Sequence, residues 1–230
     1  MSDKAKRAAA QAAVKLIEGG MRVGLGTGST AAHFVELLAE RVKAEGLSLH
    51  YVPTSVQTEA QARSLGLEIS TITELGGLDI IVDGADEIDP SLRLIKGGGG
   101  ALLREKIVAM ASKNMVVIAD EGKLVPSLGA FPLPVEIVQF EAETIAERIA
   151  SALGETGNGG EIKRRKAEGK DFITDAGNYI YDCALGVVQN PEDLADKLSS
   201  IAGVVEHGLF LGLASQAIIG SDGGEVRRIG

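Results

Sequence analysis

Apolar runs and segments of helical periodicity alternate along the first half of the chain. The apolar runs predict buried strands at residues 21–25, 49–52, 67–71, 79–82, 92–95 and 115–119. Between them, the spacing of apolar residues predicts helices at residues 30–46, 54–66 and 101–113. Strands that alternate with helices in this way are typical of βαβ units built around a parallel sheet.

The pattern changes at residues 131–138 (FPLPVEIV), so we predict a domain boundary near Ala130. Beyond it the sequence predicts a compact α+β segment, with a strand at 135–138, a helix at 142–153, a hairpin of strands 172–174 and 179–182, and a helix at 192–201. The apolar residues 204–220 predict strands that rejoin the first domain. The predicted domains are residues 1–130 with 206–230, and residues 131–205, the latter a candidate region for oligomerisation.

Composition narrows the classes of function. The 230 residues carry a net charge of −9, with no Trp and 3% aromatic residues, which argues against a nucleic-acid surface. The one cysteine, Cys183, cannot form an intrachain disulfide, and no apolar run approaches the ~18 residues of a membrane span. Ala10, Ala13 and Ile17 follow helical spacing among polar residues, which predicts an amphipathic helix and not a signal peptide. We therefore expect a cytoplasmic protein.

Residues 26–30 (GTGST), called the first loop below, join a predicted strand to a predicted helix. Backbone amides at such a junction can bind a phosphate, and Thr27, Ser29 and Thr30 add hydroxyl groups. The loop also fits a permissive dinucleotide fingerprint, but the second strand ends in Val52, Pro53 and Thr54 without the acid that would hold a ribose. A single phosphate is therefore favoured over NAD, and a tight turn that binds nothing is the alternative.

Acidic residues crowd the end of the predicted strand at residues 79–82, where ligands bind in open α/β sheets. Asp83 and Asp86 are candidates for proton transfer or for binding hydroxyl groups, whereas Asp89 with Pro90 predicts a turn. A metal site is the rival interpretation. The acids lack EF-hand spacing, and the three histidines lack zinc spacing, so we predict no metal.

Residues 97–100 are four successive glycines, called the glycine loop below, and they follow Lys96. Bare backbone next to an apolar run is suited to binding an oxyanion, and the sequence lacks the ending of a Walker A loop. In the next helix, Glu105 lies on one stripe with Ala101 and Val108 and is predicted to face inward. Periodicity leaves two roles for Glu105, a partner of the helix dipole or a catalytic carboxylate.

Lys123 follows a further strand, so we expect all of these loops to open onto the same edge of one sheet. Six motifs occur in the order GLGTGSTA, TSVQT, DGADEID, KGGGGALLREKI, ADEGK and FPLPVE. Together they closely resemble the A type of ribose-5-phosphate isomerase, over nearly the whole chain. GTGST alone is unspecific, whereas DGADEID followed by KGGGGALLREK is distinctive, and GVVEHGLF near the end is also similar to that family.

With this resemblance we predict an α/β fold, with a Rossmann-like doubly wound main domain and a smaller α+β (ferredoxin-like) second domain. The resemblance implies interconversion of D-ribose 5-phosphate and D-ribulose 5-phosphate in the non-oxidative pentose phosphate pathway. It implies no metal and no organic cofactor. It also implies a homodimer or homotetramer.

Carried over by motif position, Glu105 is implied to be the general base that moves a proton between C2 and C1 through a cis-enediolate. Lys96 and adjoining glycine amides would stabilise the oxyanion, and Asp83 and Asp86 would bind hydroxyl groups and assist ring opening. The implied substrate-binding residues are Thr27, Gly28, Ser29, Thr30, Asp83, Gly84, Ala85, Asp86, Lys96, Gly97, Gly98, Gly99 and Lys123.

Three other functions fit parts of the pattern. A sugar-phosphate sensor would keep the phosphate loop without turnover, but would have little need for Glu105. An aminosugar-phosphate deaminase uses related enediol chemistry, but the chain lacks a matching segment with a catalytic His. A dinucleotide oxidoreductase would need the missing acid after the second strand.

Overall fold

The computed structural model describes residues 2–230. The α-helices in this range are α1 Asp3–Val14, α2 Ser29–Glu45, α3 Val56–Ser64, α4 Ile72–Leu75, α5 Leu102–Met110, α6 Ala142–Glu155 and α7 Pro191–Ser199, with a 3-10 helix at Glu121–Lys123. The strands are β1 Arg22–Leu25, β2 His50–Pro53, β3 Ile80–Asp83, β4 Glu87–Ile88, β5 Leu94–Ile95, β6 Met115–Asp120, β7 Leu133–Ile137, β8 Glu161–Arg164, β9 Lys166–Ala167, β10 Lys170–Asp171, β11 Tyr179–Ala184, β12 Val204–His207, β13 Leu209–Phe210, β14 Ala214–Gly220 and β15 Val226–Ile229.

Contacts divide the chain into two compact units. The first unit comprises the chain up to Ala85, Arg104–Leu124 and Gly212–Gly230, and the second comprises Asp86–Leu103 and Val125–Leu211. Residues 86–103 join the second unit because β5 pairs with β4 on one side and with β13 on the other. The division differs from the domain boundaries expected from the sequence at residues 86–103, 125–130 and 206–211. Those boundaries and the role in oligomerisation stay predictions.

The first unit is built on a six-stranded sheet in the order β15-β14-β6-β3-β1-β2. Its neighbours are parallel except for the edge strand β15, which runs antiparallel to β14. Strand order reverses between β1 and β3, which is the switch point of a doubly wound sheet and the usual place for a ligand. The predicted Rossmann-like α/β class is confirmed for this unit.

Local sequence sets the ends of several helices in the first unit. Ser55 begins α3, because its side chain accepts a hydrogen bond from the amide of Thr58. Gly46 ends α2 in the left-handed conformation with φ of 66°, which glycine adopts without steric cost. The strand predicted at residues 67–71 is wrong, since only an isolated bridge between Tyr51 and Ile69 forms there. This segment instead leads into the short helix α4, whose first turn is capped.

The second unit contains a four-stranded antiparallel sheet in the order β12-β7-β11-β8. Helix α6 connects β7 to β8 and helix α7 connects β11 to β12, so the unit has the βαββαβ connectivity of a ferredoxin-like fold. One predicted detail is wrong, because residues 172–174 form no strand and β11 pairs with β7 and β8 instead. The turn expected at residues 174–178 is present, closed by a hydrogen bond from the amide of Thr174 to the carbonyl of Asn178.

A charged cluster fixes the start of β1 against the start of β3 in the first unit. Asp79 accepts hydrogen bonds from the Arg22 backbone amide at 3.0 Å and from Arg22 Nη2 at 2.7 Å. Lys113 Nζ donates to the same carboxylate at 2.9 Å. These hydrogen bonds from Arg22 and Lys113 hold the pKa of Asp79 well below its usual range. Asp79 therefore links two neighbouring strands through its ionised form.

We predict that Asp79→Asn lowers the free energy of unfolding at pH 7 by roughly 1–2 kcal/mol, because hydrogen bonds to a charged group are lost. A carboxyl with a lowered pKa in the folded state stabilises the protein above its unfolded pKa of about 3.9, and this contribution is lost as the pH falls. The difference between variant and parent should therefore shrink between pH 5 and pH 3, measured by urea unfolding. Asp222→Asn, at an exposed position, is the control. A difference that persists unchanged at pH 3 would contradict this account.

Candidate active site

The first loop and Asp83 meet at the switch point of the six-stranded sheet. The loop follows β1, and Asp83 ends the neighbouring strand β3. Asp83 Oδ1 accepts hydrogen bonds from the amide of Thr27 at 3.0 Å and from the amide of Gly84 at 2.7 Å. A Cβ at Gly26 would lie 2.3 Å from Asp83 Oδ1 and 2.5 Å from Asp83 Cα. Glycine is required at position 26 because Asp83 occupies the space of a side chain.

A network of hydroxyl groups from the start of α3 forms hydrogen bonds with the first loop. Thr27 Oγ1 lies 2.7 Å from Thr54 Oγ1 and 2.9 Å from Ser55 Oγ. Thr54 also donates to the carbonyl of Leu25, and Thr58 donates to the carbonyl of Gly26. The segment TSVQT therefore holds both the side chain and the backbone of the loop. The sequence analysis placed this segment at the start of a helix and among the family motifs, but assigned no role to its three closely spaced hydroxyl residues.

The helix that follows the first loop presents its N-terminus without a side-chain cap. Gly28 is the N-cap of α2 and has φ of 106°, a conformation that favours glycine. Ser29 and Thr30 form the first turn, where backbone amides and the helix dipole favour an anion. Lys6 Nζ, from α1, donates to Ser29 Oγ at 2.8 Å. Sequence reasoning missed Lys6, because its distance of 23 residues from Ser29 hides their proximity.

Glu105 lies in the first turn of α5 and is 4% exposed. Val108, one turn later, packs over β1, where a Cβ on Gly24 would come within 2.9 Å of Val108 Cγ1. Glu105, Val108 and Ala109 are all buried, so the predicted inward-facing stripe of α5 is confirmed. Burial of a carboxylate on this stripe costs free energy unless a polar or charged group interacts with it.

Lys123 ends the 3-10 helix that follows β6, so it lies at the same edge of the sheet as the first loop and Asp83. Asp120 begins this helix, and its Oδ1 accepts a hydrogen bond from the amide of Gly122 at 3.0 Å. The glycine loop does not follow a strand of the six-stranded sheet. It follows β5, which lies in a separate three-stranded sheet of the second unit, so the expectation of one common sheet edge for all four loops is wrong. Only two residues of the predicted strand at 92–95 pair, and they pair antiparallel.

Within the second unit, Asp86, Lys96 and the glycine loop come together. Asp86 Oδ2 accepts a hydrogen bond from the amide of Gly98 at 2.7 Å. Lys96 is 2% exposed, and its Nζ lies 5.5 Å from the centre of the Phe210 ring. Its backbone amide donates to the carbonyl of Gly208 at 2.9 Å. The unit thus holds a buried cation beside a loop of bare backbone.

Close neighbours explain why the glycine loop lacks side chains. A Cβ on Gly98 would lie 2.5 Å from Asp86 Oδ1, and a Cβ on Gly100 would lie 2.3 Å from Phe172 Cζ. Gly97 and Gly100 also have positive φ, of 103° and 81°. The amides of Gly98 and Gly100 donate to Asp86 and to the carbonyl of Gly97. Those of Gly97 and Gly99 make no hydrogen bond within residues 2–230.

Two other acids of the motif DGADEID have structural roles. The Glu87 carboxylate accepts hydrogen bonds from the amides of Gly129 and Phe131, each at 2.6 Å. The Asp89 carboxylate accepts hydrogen bonds from the amide of Ser91 and from the side chain of Arg93, which confirms the expected turn.

Burial raises the pKa of the Cys183 thiol to about 12, so it stays protonated and poorly nucleophilic at neutral pH.

Two features of other classes of site are absent from residues 2–230. In this part of the chain, no group of three or more His, Cys, Asp or Glu side chains is arranged to hold a metal ion. None of the helices described is both long enough and apolar enough to cross a membrane.

We predict that Gly26→Ala destabilises the protein by about 1–3 kcal/mol and lowers its activity, because the new methyl group overlaps the backbone of Asp83 and cannot rotate away. Urea unfolding and an activity assay measure the two effects. Gly154→Ala is the control, since a Cβ at this position in α6 meets no atom within 4 Å. Removing a helical glycine there should leave stability equal or higher. Equal stability of Gly26→Ala and the parent would contradict the close approach.

Known proteins resemble this chain over almost its full length. The profile of the family "Ribose 5-phosphate isomerase A (phosphoriboisomerase A)" matches residues 50–224. Ribose-5-phosphate isomerase A of Bradyrhizobium diazoefficiens is 53% identical over 99% of this chain and 95% of its own length. The protein of the same name from Parvibaculum lavamentivorans is 52% identical over 97% of this chain and 96% of its own.

Solved structures agree with these relatives. Ribose 5-phosphate isomerase from Plasmodium falciparum is 38% identical with a TM-score of 0.93, over 97% of this chain and 96% of that chain. A D-ribose-5-phosphate isomerase in complex with phospho-erythronic acid is 37% identical with a TM-score of 0.88, over the same shares of the two chains. Sequence and structure together show that this chain belongs to the ribose 5-phosphate isomerase A family, a family of isomerases.

Proposed function

We propose that this chain interconverts D-ribose 5-phosphate and D-ribulose 5-phosphate in the non-oxidative pentose phosphate pathway. The observation that carries the proposal is the identity of 53% with a ribose-5-phosphate isomerase A over 99% of the chain. The positions of Glu105, Lys96, Asp83 and Asp86 in distinctive motifs support the assignment of residues. Their burial, or their bonds to loop amides, support it further.

Glu105 is proposed as the general base. Isomerisation removes the proton at C2 of the open-chain aldose and returns a proton to C1, through a cis-enediolate. Such a proton is weakly acidic, so its removal needs a positioned base together with stabilisation of the charge that develops on oxygen. Glu105 is held on an inward-facing stripe of a helix, which limits the directions its carboxylate can adopt.

Lys96 and the glycine loop are proposed to stabilise the enediolate oxygen. Lys96 supplies a buried positive charge, which acts more strongly on an anion than an exposed one. Because Gly98 and Gly100 already donate their amides within the second unit, Gly97 and Gly99 are the amides left to contribute. The resemblance assigns oxyanion stabilisation to the glycine amides as a group, and this proposal restricts it to the amides of Gly97 and Gly99.

The first loop is proposed to bind the substrate phosphate, with Thr27, Gly28, Ser29 and Thr30 as its contacts. The uncapped N-terminus of α2 and the ammonium of Lys6 beside Ser29 support this assignment. Lys123, at the same edge of the sheet, adds a second cation. Phosphate recognition then rests on backbone amides, hydroxyl groups and two lysines.

Asp83 and Asp86 are proposed to bind sugar hydroxyl groups and to assist ring opening, with Gly84 and Ala85 lining the segment between them. Each aspartate already accepts loop amides, Asp83 from Thr27 and Gly84 and Asp86 from Gly98. An ionised carboxylate has about four acceptor sites, so a carboxylate can accept a hydroxyl group as well as backbone amides. Their bonds to the loops fix their orientation before a sugar arrives.

The experiment that tests this function is a coupled assay of ribose 5-phosphate conversion, run without added cofactor and both with and without EDTA. We expect turnover that is unchanged by EDTA. Absence of turnover with retained binding of the sugar phosphate would favour a sensor. Loss of turnover with EDTA would indicate a metal enzyme, and release of ammonia from an aminosugar phosphate would indicate a deaminase.

We predict that Glu105→Gln lowers kcat at least ~100-fold while ribose 5-phosphate still binds, because the amide cannot accept the C2 proton. Steady-state kinetics measure the first effect and calorimetry the second. Glu147→Gln, on the exposed face of α6, is the matched control and should keep full activity. Near-normal turnover of Glu105→Gln would remove Glu105 from the mechanism.

We also propose that the chain assembles as a homodimer or homotetramer. Large apolar side chains are exposed in each unit, namely Val56, Ile107 and Met110 in the first and Phe140, Ile173 and Val187 in the second. An interface between copies of the chain would remove such apolar side chains from water. Light scattering should give two or four times the 23.9 kDa mass of one chain, and a mass of one chain would contradict the proposal.

A further inference from the structure

The side chain of Arg165 reaches the backbone of the glycine loop. Its Nη1 atom donates to the carbonyl of Gly97 at 2.7 Å and to the carbonyl of Gly98 at 3.2 Å. Arg165 follows β8 in the second unit, 67 residues or more from these carbonyls in sequence. None of the sequence motifs that resemble the isomerase family includes it.

Arg165 is itself held in a fixed orientation. Asp182, on β11, accepts from its Nε at 2.9 Å and from its Nη2 at 2.5 Å, a pairing of two parallel hydrogen bonds. The Arg165 side chain is 13% exposed, and its guanidinium carbon lies 5.8 Å from the centre of the Phe172 ring. Asp182 and Phe172 therefore leave the Nη1 group as the part that points to the loop.

The hydrogen bonds at the first glycine peptide explain what this contact does. The carbonyl of Gly97 and the amide of Gly98 belong to one peptide group, and in a trans peptide they point in opposite directions. Arg165 holds the carbonyl end of this peptide, and Asp86 holds the amide end at 2.7 Å. The peptide is thus fixed between a cation and a carboxylate.

The next peptide is oriented by the same side chain. Because the carbonyl of Gly98 points to Arg165, the amide of Gly99 points away from it. This amide makes no hydrogen bond within the described residues and is one of the two proposed to act on the enediolate oxygen. A run of glycines samples many conformations, so ordering each residue costs conformational entropy. A donor is effective in catalysis only when it is already oriented.

We propose that Arg165, oriented by Asp182, is a positioning residue that holds the glycine loop in its catalytic conformation. It acts through the carbonyls of Gly97 and Gly98, and so sets the direction of the Gly99 amide and the position of the Asp86 carboxylate. This inference rests on the proposed isomerase function. It assigns a part in that function to Arg165 and Asp182, which lie in the second unit outside the recognised motifs.

The test compares Arg165→Met with Arg164→Met. The control residue is adjacent in sequence, but its guanidinium pairs with Glu143 and Asp171 and lies over the Tyr179 ring. We expect Arg165→Met to lower kcat at least ~10-fold with KM changed less than about 3-fold, because the loop loses orientation while phosphate binding is kept. Arg164→Met should keep kcat within about 3-fold.

Inhibition separates a positioning role from a general loss of structure. Phospho-erythronic acid carries a carboxylate as well as a phosphate, whereas inorganic phosphate needs only the phosphate contacts. Arg165→Met should weaken inhibition by phospho-erythronic acid at least ~10-fold and leave inhibition by inorganic phosphate nearly unchanged. Equal weakening of both, or of neither, would overturn the proposal.

Two conservative variants keep the test decisive if Arg165→Met folds poorly. Arg165→Lys keeps the charge but cannot bind Asp182 and the loop carbonyls together, so it should restore part of kcat. Asp182→Asn should give an intermediate loss. Full activity in both variants would overturn the proposal.

Hydrogen exchange of residues 97–100 measures the loop directly. Exchange should be faster in Arg165→Met than in Arg164→Met. If the parent protein lacks isomerase activity, the proposed function fails. The comparison of hydrogen exchange still tests whether Arg165 orders the glycine loop. If the parent is active and Arg165→Met matches it in kcat and exchange, the inference about Arg165 fails alone.

Discussion

The carboxylate of Asp83 lies where a side chain on Gly26 would otherwise be. Its Oδ1 atom binds the amides of Thr27 and Gly84, so one oxygen joins the segments that follow two neighbouring strands. Buried amides must find acceptors, and a carboxylate can serve more than one of them. The conformation of the first loop, the start of α2 and the exposure of its amides all depend on this contact.

The second unit uses the same kind of bond at a different place. Asp86 binds the amide of Gly98, and Arg165 binds the carbonyl on the other side of that peptide. In both units a carboxylate holds bare backbone, and in both a side chain on the glycine would collide with it. Glycine is needed in these loops for close approach, and the polar contacts then remove the freedom that glycine brings.

Positive charge is placed locally in a protein whose net charge is negative. The protein is acidic as a whole, yet its candidate substrate-binding residues include Lys6, Lys96 and Lys123. In the proposed site, a few placed cations and oriented amides would attract an anionic substrate against the net negative charge of the protein. Burial of Lys96 would strengthen its proposed effect on an anion, because less water screens a buried charge.

The sequence by itself determined the class of fold and the family. Periodicity located most helices and buried strands, since the burial of one helix face or of a whole strand leaves a local pattern. Motifs singled out the first loop, the acids near Asp83, Lys96 and Glu105 as candidate site residues, and their roles stay predictions. The two-residue strands at 87–88, 166–167 and 170–171 were not predicted, and the strands predicted at 67–71 and 172–174 do not form. Such short segments carry little periodicity, and their pairing depends on distant partners.

Only the tertiary structure decided how the glycine loop is held and which sheet it follows. Arg165 and Asp182 bind each other and the loop from positions remote in the chain, and Lys6 meets Ser29 in the same way. Such contacts join single residues across turns of the chain, so no periodicity or spacing records them. A local pattern reveals what each segment buries, whereas the partner of a polar side chain is set by the fold that brings the segments together.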